Sequence, residues 1–308
     1  MRAVVITTPG GPEALQIIET AVPGPGPDEI RISVAAAGVN PVDVGTRTGA
    51  FHELGLVTQL EHTGLGWDVA GTVSALGPGV AQSHPQLADG VRVAALLAAL
   101  DVPLGTYADE VVVPADSAAV VPPGLDLMAA ATLPLNVLTA AQALDLLGPA
   151  QGRRLLVTGA AGAVGGYAVA LAAPQGWIID GLARESDRDF VKRTGATGLV
   201  TSLDDIDEGS YDAVLDAAVL GDTAVRVVRD GGRYVGVIPP SVPASRRRVT
   251  TEAVQVRHDA STLESMLFRM ASGELEARVH ATVPLVEAAT AHRALEEGGT
   301  RGRWVLLP

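Results

Sequence analysis

The residues best placed to do chemistry lie in the stretch LLVTGAAGAVGGYAVALA, from Leu155 to Ala172. The apolar run from Leu155 to Thr158 predicts a buried strand. A glycine-punctuated turn follows at once, and the small and apolar residues beyond it can continue as a helix. Such a strand–turn–helix presents free backbone N–H groups at the positive end of a helix dipole, where a pyrophosphate can be held. The candidate binding residues are Gly159, Ala160, Gly162, Ala163, Val164 and Gly165. Gly162 would let the backbone come close to the phosphates, and Gly165 would let the helix pack tightly on the strand. The first glycine of the usual G-x-G-x-x-G is replaced here by Ala160, with Gly159 just before it. A glycine-rich turn alone occurs by chance in many proteins. The flanking strand and helix are what make this one a dinucleotide-binding candidate.

The elements that would position this turn follow from composition and pattern. At 308 residues the chain has room for two domains. Hydrophobic residues make up 47%, yet no run reaches the roughly 18 uninterrupted apolar residues of a membrane span. The opening MRAVVITTPGGPEAL predicts a strand and a turn, not a secretory leader, so a cytoplasmic protein is expected. A net charge of −13 argues against a nucleic-acid surface, and the run Arg246–Arg248 is too short to form one. With no cysteine, disulfides and thiolate metal sites are excluded.

Residues 1 to about 122 alternate short β-like runs with Gly/Pro turns: AVVIT, EIRISVAAAGV, VAGTVSALG, GVRVAALLA and YADEVVVP. This spacing predicts a mostly antiparallel, barrel-like domain. From about Leu125 helix and strand alternate. DLMAAATLPLNVLTAAQALDLLG reads as helix with a break at Pro134. The strand at Leu155 then leads a series, WIIDGLA, GLVTS, YDAVLDA and GGRYVGVI, spaced as βα units of a parallel doubly wound sheet. A strand, a helix and a closing strand end the chain. The expected fold class is therefore α/β, with domains at 1–122 and 123–274 and residues 275–308 completing the first.

Four segments carry a family resemblance. AAGVNPVDVGTRTGAF, GWDVAGTVSALGPGV, VTGAAGAVG and AHRALEEGGTRGRWVLLP, in this order, resemble the zinc-free quinone oxidoreductase (zeta-crystallin-like) branch of the medium-chain dehydrogenase/reductase superfamily. The resemblance runs end to end. It implies a GroES-like β-barrel catalytic domain and a Rossmann domain, the C-terminal strand returning to the first, and a homodimer formed along the Rossmann sheet edge.

In zinc-dependent members the N-P-V-D segment begins with a cysteine ligand and the G-W-D segment reads G-H-E. Here those positions are Asn40, Trp67 and Asp68, and a zinc site needs three or four well-placed donors. His52, His62 and His84 show no ligand-like pairing, so no metal is expected. Without a Lewis acid, the feasible acceptor is one already activated by conjugation: a quinone or an α,β-unsaturated carbonyl. The resemblance implies Asn40 as a catalytic donor beside the nicotinamide or the substrate oxygen. It assigns Asp43 to fixing the local chain, and Phe51 and Trp67 to the substrate pocket. Many relatives carry a tyrosine after N-P-V-D; at Val44, Gly45 and Thr46 this chain has none, and no obvious proton donor replaces it. The segment between Phe51 and Trp67 is slightly long, which fits a substrate-shaping loop or a surface insertion.

Cofactor choice turns on WIIDGLARESDR. An NAD enzyme places an acid at the end of the second Rossmann strand to hold the ribose 2′-OH, whereas an NADP enzyme supplies cations. By the resemblance the acid's position is Ala183, and Arg184, Ser186 and Arg188 follow as candidate 2′-phosphate ligands. Asp180 falls mid-strand and Glu185 sits among the cations. The tyrosine that some relatives use at the 2′-phosphate falls at Ser202. NADPH is the expected cofactor. The resemblance further implies Thr139 near the nicotinamide ribose, the Val237 and Ile238 backbone at the carboxamide, and Asp216 to Ala218 on the adenosine side. His258, His280 and His292 read as structural or exposed. The expected activity is a zinc-independent, NADPH-dependent reduction of a quinone or enone, with a small-molecule substrate and neither nucleic acid nor membrane as partner. The alternatives are a pathway-specific enoyl reductase of a biosynthetic intermediate and a non-catalytic NADPH-binding protein.

Overall fold

A computed structural model describes residues 1–59, 61–299 and 301–308. In chain order the first strands are β1 (Arg2–Ile6), β2 (Gln16–Glu19), β3 (Glu29–Gly38), β4 (Thr63–Gly64), β5 (Asp68–Leu76), β6 (Arg92–Leu96), β7 (Glu110–Pro114) and β8 (Ala118–Val120). Then come β9 (Arg154–Thr158), β10 (Ile178–Leu182), β11 (Gly198–Val200), β12 (Tyr211–Asp216), β13 (Val228–Gly236) and β14 (Thr250–Ala253). β15 (Val279–Pro284) and β16 (Arg303–Leu307) close the chain. The helices are α1 (Pro41–Thr48), α2 (Ala50–Glu53), α3 (Val80–Ser83), α4 (Leu127–Ala130), α5 (Pro134–Leu147), α6 (Ala163–Ala172), α7 (Arg188–Arg193), α8 (Asp222–Arg226), α9 (Ala260–Ala271) and α10 (Ala288–Glu297).

Two compact units result: Met1–Leu135 with Arg257–Pro308, and Asn136–Val256. The second unit therefore begins later and ends earlier than the sequence pattern placed it. Residues 123–135 join the first unit because α4 packs on β3 and β5, and because the Leu135 N–H donates to the Asp68 carboxylate. Residues from 257 onward join it because α9 packs on β8.

The first unit is built on β3. One edge of this strand pairs antiparallel with β5 along its length. The other edge is shared, residues 29–33 pairing with β7 and residues 37 and 38 with β16. These strands belong to a seven-stranded sheet of order β15-β16-β3-β5-β6-β8 with β7 on β3, beside a three-stranded sheet β2-β1-β4. Among the described residues the single parallel pairing in these two sheets is β15 with β16. Alternating residues Ile30, Ile32 and Val34 of β3 enter a core shared with Val69, Val73, Val93, Val111 and Tyr107, as a half-buried antiparallel strand requires.

The N-P-V-D segment opens a helix that continues beyond it. Asn40 and Asp43 form a capping box, Pro41 takes the first turn, and Gly49 ends the helix at φ +91°, a conformation that glycine adopts without strain. The positions Val44, Gly45 and Thr46 therefore lie on α1.

The second unit carries one six-stranded, all-parallel sheet of order β11-β10-β9-β12-β13-β14. Each half winds outward from the central β9, the doubly wound arrangement that places ligands at the carboxyl ends of the strands. β9 is apolar and buried on both faces after Arg154, as a central parallel strand must be. α6 is apolar almost all round and mostly buried.

Candidate functional site

The second unit brings together the strand, turn and helix read from the sequence. β9 ends at Thr158, Gly159 adopts φ +60°, and Gly162 is the extended N-cap of α6. A Cβ at Gly165 would lie 2.2 Å from the Gly159 carbonyl oxygen, and one at Gly162 would lie 3.1 Å from the same atom. The turn is thus folded so tightly that only hydrogen fits at position 165. A Cβ at Gly181 of β10 would lie 2.8 Å from the Ala160 methyl, so the neighbouring strand supports the same turn. The first N–H groups of α6, like those of any helix, have no partner within the helix and can cradle an anion, and the residues present fit a pyrophosphate.

A buried hydrogen-bond group fixes the floor of this turn. Thr158 Oγ1 donates to Asp216 Oδ1 at 2.6 Å and accepts from the Ala218 N–H at 2.9 Å. Asp216 Oδ2 accepts from Tyr234 Oη at 2.7 Å and from the Gly221 N–H at 2.8 Å. Burial, then the neighbouring Asp216, hold the Tyr234 phenol well above its ordinary range, so it stays a neutral donor. Asp216 and Ala218 thus anchor the end of β12 to the turn, a connection that the sequence did not reveal because its members lie in three separate segments.

Past β10 the Ala183 N–H donates to Val200, and a 3-10 turn spans Glu185–Asp187. Arg184 and Ser186 are exposed and Arg188 is half-buried. Arg188 grips Glu185, Nε to Oε1 at 2.5 Å and Nη2 to Oε2 at 2.7 Å. Asp180 is engaged elsewhere: its Oδ2 accepts from Arg154 Nη2 and from Tyr211 Oη, both at 2.9 Å. Thr139 is buried in α5, Val237 is half-buried and Ile238 exposed beyond β13.

The first unit holds a second polar group, centred on Asn40. Asn40 Nδ2 donates to Asp68 Oδ2 at 2.8 Å, and Asp68 Oδ1 accepts from the Leu135 N–H at 2.7 Å. Asp43 Oδ2 accepts from the Asn40 N–H at 2.7 Å and from Tyr107 Oη at 3.0 Å, while its Oδ1 accepts from the Gly66 N–H at 3.0 Å. Tyr107 Oη also lies 3.3 Å from His292 Nε2. Asn40, Asp43, Asp68, Tyr107 and His292 are all buried. Burial pushes Asp43 up to about 7 against the pull of its three donors, and Asp68 up to about 7 against that of its two. Burial, with Arg47 nearby, holds the His292 imidazole down at about 3, so it is neutral. Arg47 is fully buried and pairs with Glu296 of α10.

Asp43 therefore ties α1 to Gly66 and to Tyr107, reaching well beyond the local chain that its expected role covered. His292 is the buried, hydrogen-bonded member of the three histidines read as structural or exposed. The sequence reading did not single out Tyr107, Arg47 or Glu296. Phe51 lies half-buried on α2 against Gly45, where a Cβ would come within 2.9 Å of its ring. Trp67 is half-buried. The segment between them is pinned by Asp101, whose carboxylate accepts from Thr58 and Gln59.

The residues at the zinc positions do not fit a zinc ion. Asn40 and Trp67 stand where thiolate and imidazole ligands would be needed, and both oxygens of Asp68 are committed to Asn40 and Leu135. Among the described residues no group of three His, Cys, Asp or Glu is arranged to hold a metal, and no helix is long and apolar enough to cross a membrane.

Residues 26–123 match the family described as alcohol dehydrogenase GroES-like domain, and residues 188–306 the family described as zinc-binding dehydrogenase. A 2-haloacrylate reductase of Burkholderia sp is 30% identical, covering 100% of this chain and 99% of its own. The chloroplastic NADPH-dependent alkenal/one oxidoreductase of Arabidopsis thaliana is 29% identical over 100% of this chain and 80% of its own. Pikromycin polyketide synthase component PikAII of Streptomyces venezuelae is 35% identical over 70% of this chain, which spans only 6% of that large protein. Among solved structures, the quinone oxidoreductase from Coxiella burnetii superposes with a TM-score of 0.86 at 26% identity, covering 100% of this chain and 99% of that one.

Proposed function

Since the chain belongs to the medium-chain dehydrogenase/reductase superfamily, we propose that it is an NADPH-dependent oxidoreductase that reduces a quinone or an α,β-unsaturated carbonyl without zinc. The observation that carries this reading is the turn from Gly159 to Gly165, closed so tightly on the Gly159 carbonyl that only hydrogen fits at position 165 and the backbone leads straight into the N-terminus of α6.

Bound NADPH supplies a hydride from its nicotinamide ring. The chain's own residues bind, orient and steady charge around that transfer. The backbone from Gly159 to Gly165 holds the pyrophosphate, using N–H groups that have no partner within α6. Arg184, Ser186 and Arg188 hold the 2′-phosphate, and Asp180, paired with Arg154 and Tyr211, is not the acid that would hold a ribose hydroxyl. Thr139, Val237 and Ile238 are assigned to the nicotinamide end.

Asn40 is assigned as the donor to the acceptor oxygen or the carboxamide, its side chain held in one orientation by Asp68. A donor fixed before the reaction stabilises developing oxyanion charge without having to reorganise. Conjugated acceptors suit such a site because their negative charge delocalises onto oxygen, and the proton comes from solvent or a pocket group. Phe51 and Trp67 are assigned to the acceptor pocket. A cytoplasmic homodimer, joined along the edge of the six-stranded sheet, is part of the same reading.

The kinship with a polyketide synthase component favours a second reading, an enoyl reductase acting on a biosynthetic intermediate. The test is a fluorescence titration with NADPH and with NADH, followed by turnover assays on quinones, enones and enoyl thioesters. Micromolar NADPH binding with weaker NADH binding and turnover of quinones or enones supports the proposal. Turnover of enoyl thioesters alone selects the second reading, and binding of neither cofactor refutes both.

A further inference from the structure

The arginines assigned to the 2′-phosphate are not presented bare, because one of them already holds an acid of this chain. Arg188 meets Glu185 through Nε and Nη2 together, at 2.5 and 2.7 Å. That is the two-donor face with which a guanidinium takes a phosphate in parallel bonds. The two side chains are 41% and 65% exposed, and a pair of such exposure, three residues apart, adds little to stability. It does occupy the fork.

Of the other nearby acids, Asp187 is buried, Asp189 acts on Arg188 through its charge, and Asp180 is engaged elsewhere. Asp180 gives its Oδ2 to Arg154 and Tyr211, and its Oδ1 faces β11, where a Cβ at Gly198 would approach within 2.2 Å. Glu185 is thus the carboxylate that already occupies the Arg188 fork.

We propose that Glu185 sets the cofactor selectivity of this chain by competing with the 2′-phosphate of NADPH for the Arg188 fork. The inference rests on the NADPH reading above. Two anions cannot share the Nε–Nη2 face, so NADPH must displace the carboxylate and place a phosphate beside it. NADH has no phosphate at this position, so it neither gains from Arg188 nor meets the repulsion. The chain therefore prefers NADPH by less than its arginines alone would allow. Because Glu185 and Arg188 are both partly in water, the handicap is moderate, about three- to tenfold in affinity, and it shrinks as salt screens the charges.

Titration of wild type, Glu185→Gln, Arg188→Gln and the double variant with NADPH and NADH, at low and high salt, tests this. Circular dichroism confirms that these surface variants are folded. The expected result is that Glu185→Gln tightens NADPH binding by about three- to tenfold at low salt and less at high salt, with NADH changed by less than about twofold. Arg188→Gln should weaken NADPH binding, and adding Glu185→Gln to it should restore nothing. If Glu185→Gln leaves NADPH affinity unchanged or weakens it while Arg188→Gln also weakens it, Glu185 is inert or orients the arginine, and the proposal is overturned. If wild type itself binds NADPH no better than NADH, it is the underlying cofactor reading that fails.

Discussion

Asn40 Nδ2 donates to Asp68 Oδ2 at 2.8 Å, and solvent reaches neither residue. The same carboxylate accepts the Leu135 N–H through its other oxygen, so Asp68 holds the N-terminus of α1 and the first turn of α5 on one group. Replacing Asp68 by Ala strands both donors, and each unpaired buried donor costs about 1–3 kcal/mol. Asp68→Ala should therefore lose roughly 2–5 kcal/mol in urea unfolding and show reduced turnover with NADPH affinity largely kept. Asp68→Asn keeps one acceptor and should fall between the two. Unchanged stability in Asp68→Ala would show that the contact does not bear on the fold.

Stability should fall as pH rises toward neutrality and just past it, and level off beyond. Asp43 and Asp68 are pushed from the ordinary 3.8 to about 7 in the folded chain. A raised acid contributes stability that is fully present below its unfolded value and is lost as pH rises through its folded value. His292 acts in the opposite sense. Held at about 3 against an ordinary 6.5, its contribution is present above 6.5 and is lost as pH falls toward 3. Between pH 6.5 and 8.5 the carboxylates therefore dominate, and unfolding free energy should drop by on the order of 1–2 kcal/mol. Asp68→Asn should remove part of that slope. A flat or rising profile over this range would contradict it.

Gly162 and Gly165 should respond differently to one methyl group. At Gly165 the new Cβ would sit 2.2 Å from the Gly159 oxygen, against backbone that cannot step aside. At Gly162 the distance is 3.1 Å, and a shift of a few tenths of an ångström relieves it. Gly165→Ala should cost roughly 1–3 kcal/mol by overpacking and lose NADPH binding as the turn opens. Gly162→Ala should stay within about 1 kcal/mol of wild type. Equal thermal shifts in the two variants would mean that the turn is looser than its geometry.

Asp180 should prove irrelevant to cofactor choice. Its partners are Arg154 and Tyr211, so Asp180→Asn should lower stability by about 0.5–1.5 kcal/mol and leave the ratio of NADPH to NADH affinity within about twofold of wild type. A large swing toward NADPH would reinstate Asp180 as the ribose acid.

What could be read from the sequence was what lies close together along it. The strand, the glycines and the helix from Leu155 to Ala172 are contiguous, and so are Asn40 and Asp43, whose spacing is that of a capping box. The engagement of Asp180 could not be read, because Arg154, Tyr211 and Asp180 stand on β9, β12 and β10. They meet only through a strand order that runs outward from β9 in both directions. Tyr107, Arg47 and Glu296 escaped notice for the same reason, as did the partner of His292. A tyrosine in GTYADE and a histidine in AHRAL carry no local sign of a partner, and these residues converge on Asp43 and α10 only once the sheets have closed. The joints between the units were misplaced because α4 and α9 look like members of the helix-and-strand region by pattern, while their packing partners are β3, β5 and β8.

Gly38 of β3 pairs with Val305, and Ala37 with Leu306, so this unit draws its strands from both ends of the chain. On a ribosome, the unit synthesised first is the last that can be completed. β3 can find β5 and β7 early, but part of its edge stays bare until β16 emerges, and Arg47 stays without Glu296 until α10 does. Residues 136–256, by contrast, are one uninterrupted stretch and can fold while the tail is still being made. The nascent chain thus passes through a state with one finished unit and one open sheet edge, the kind of edge that invites wrong pairings.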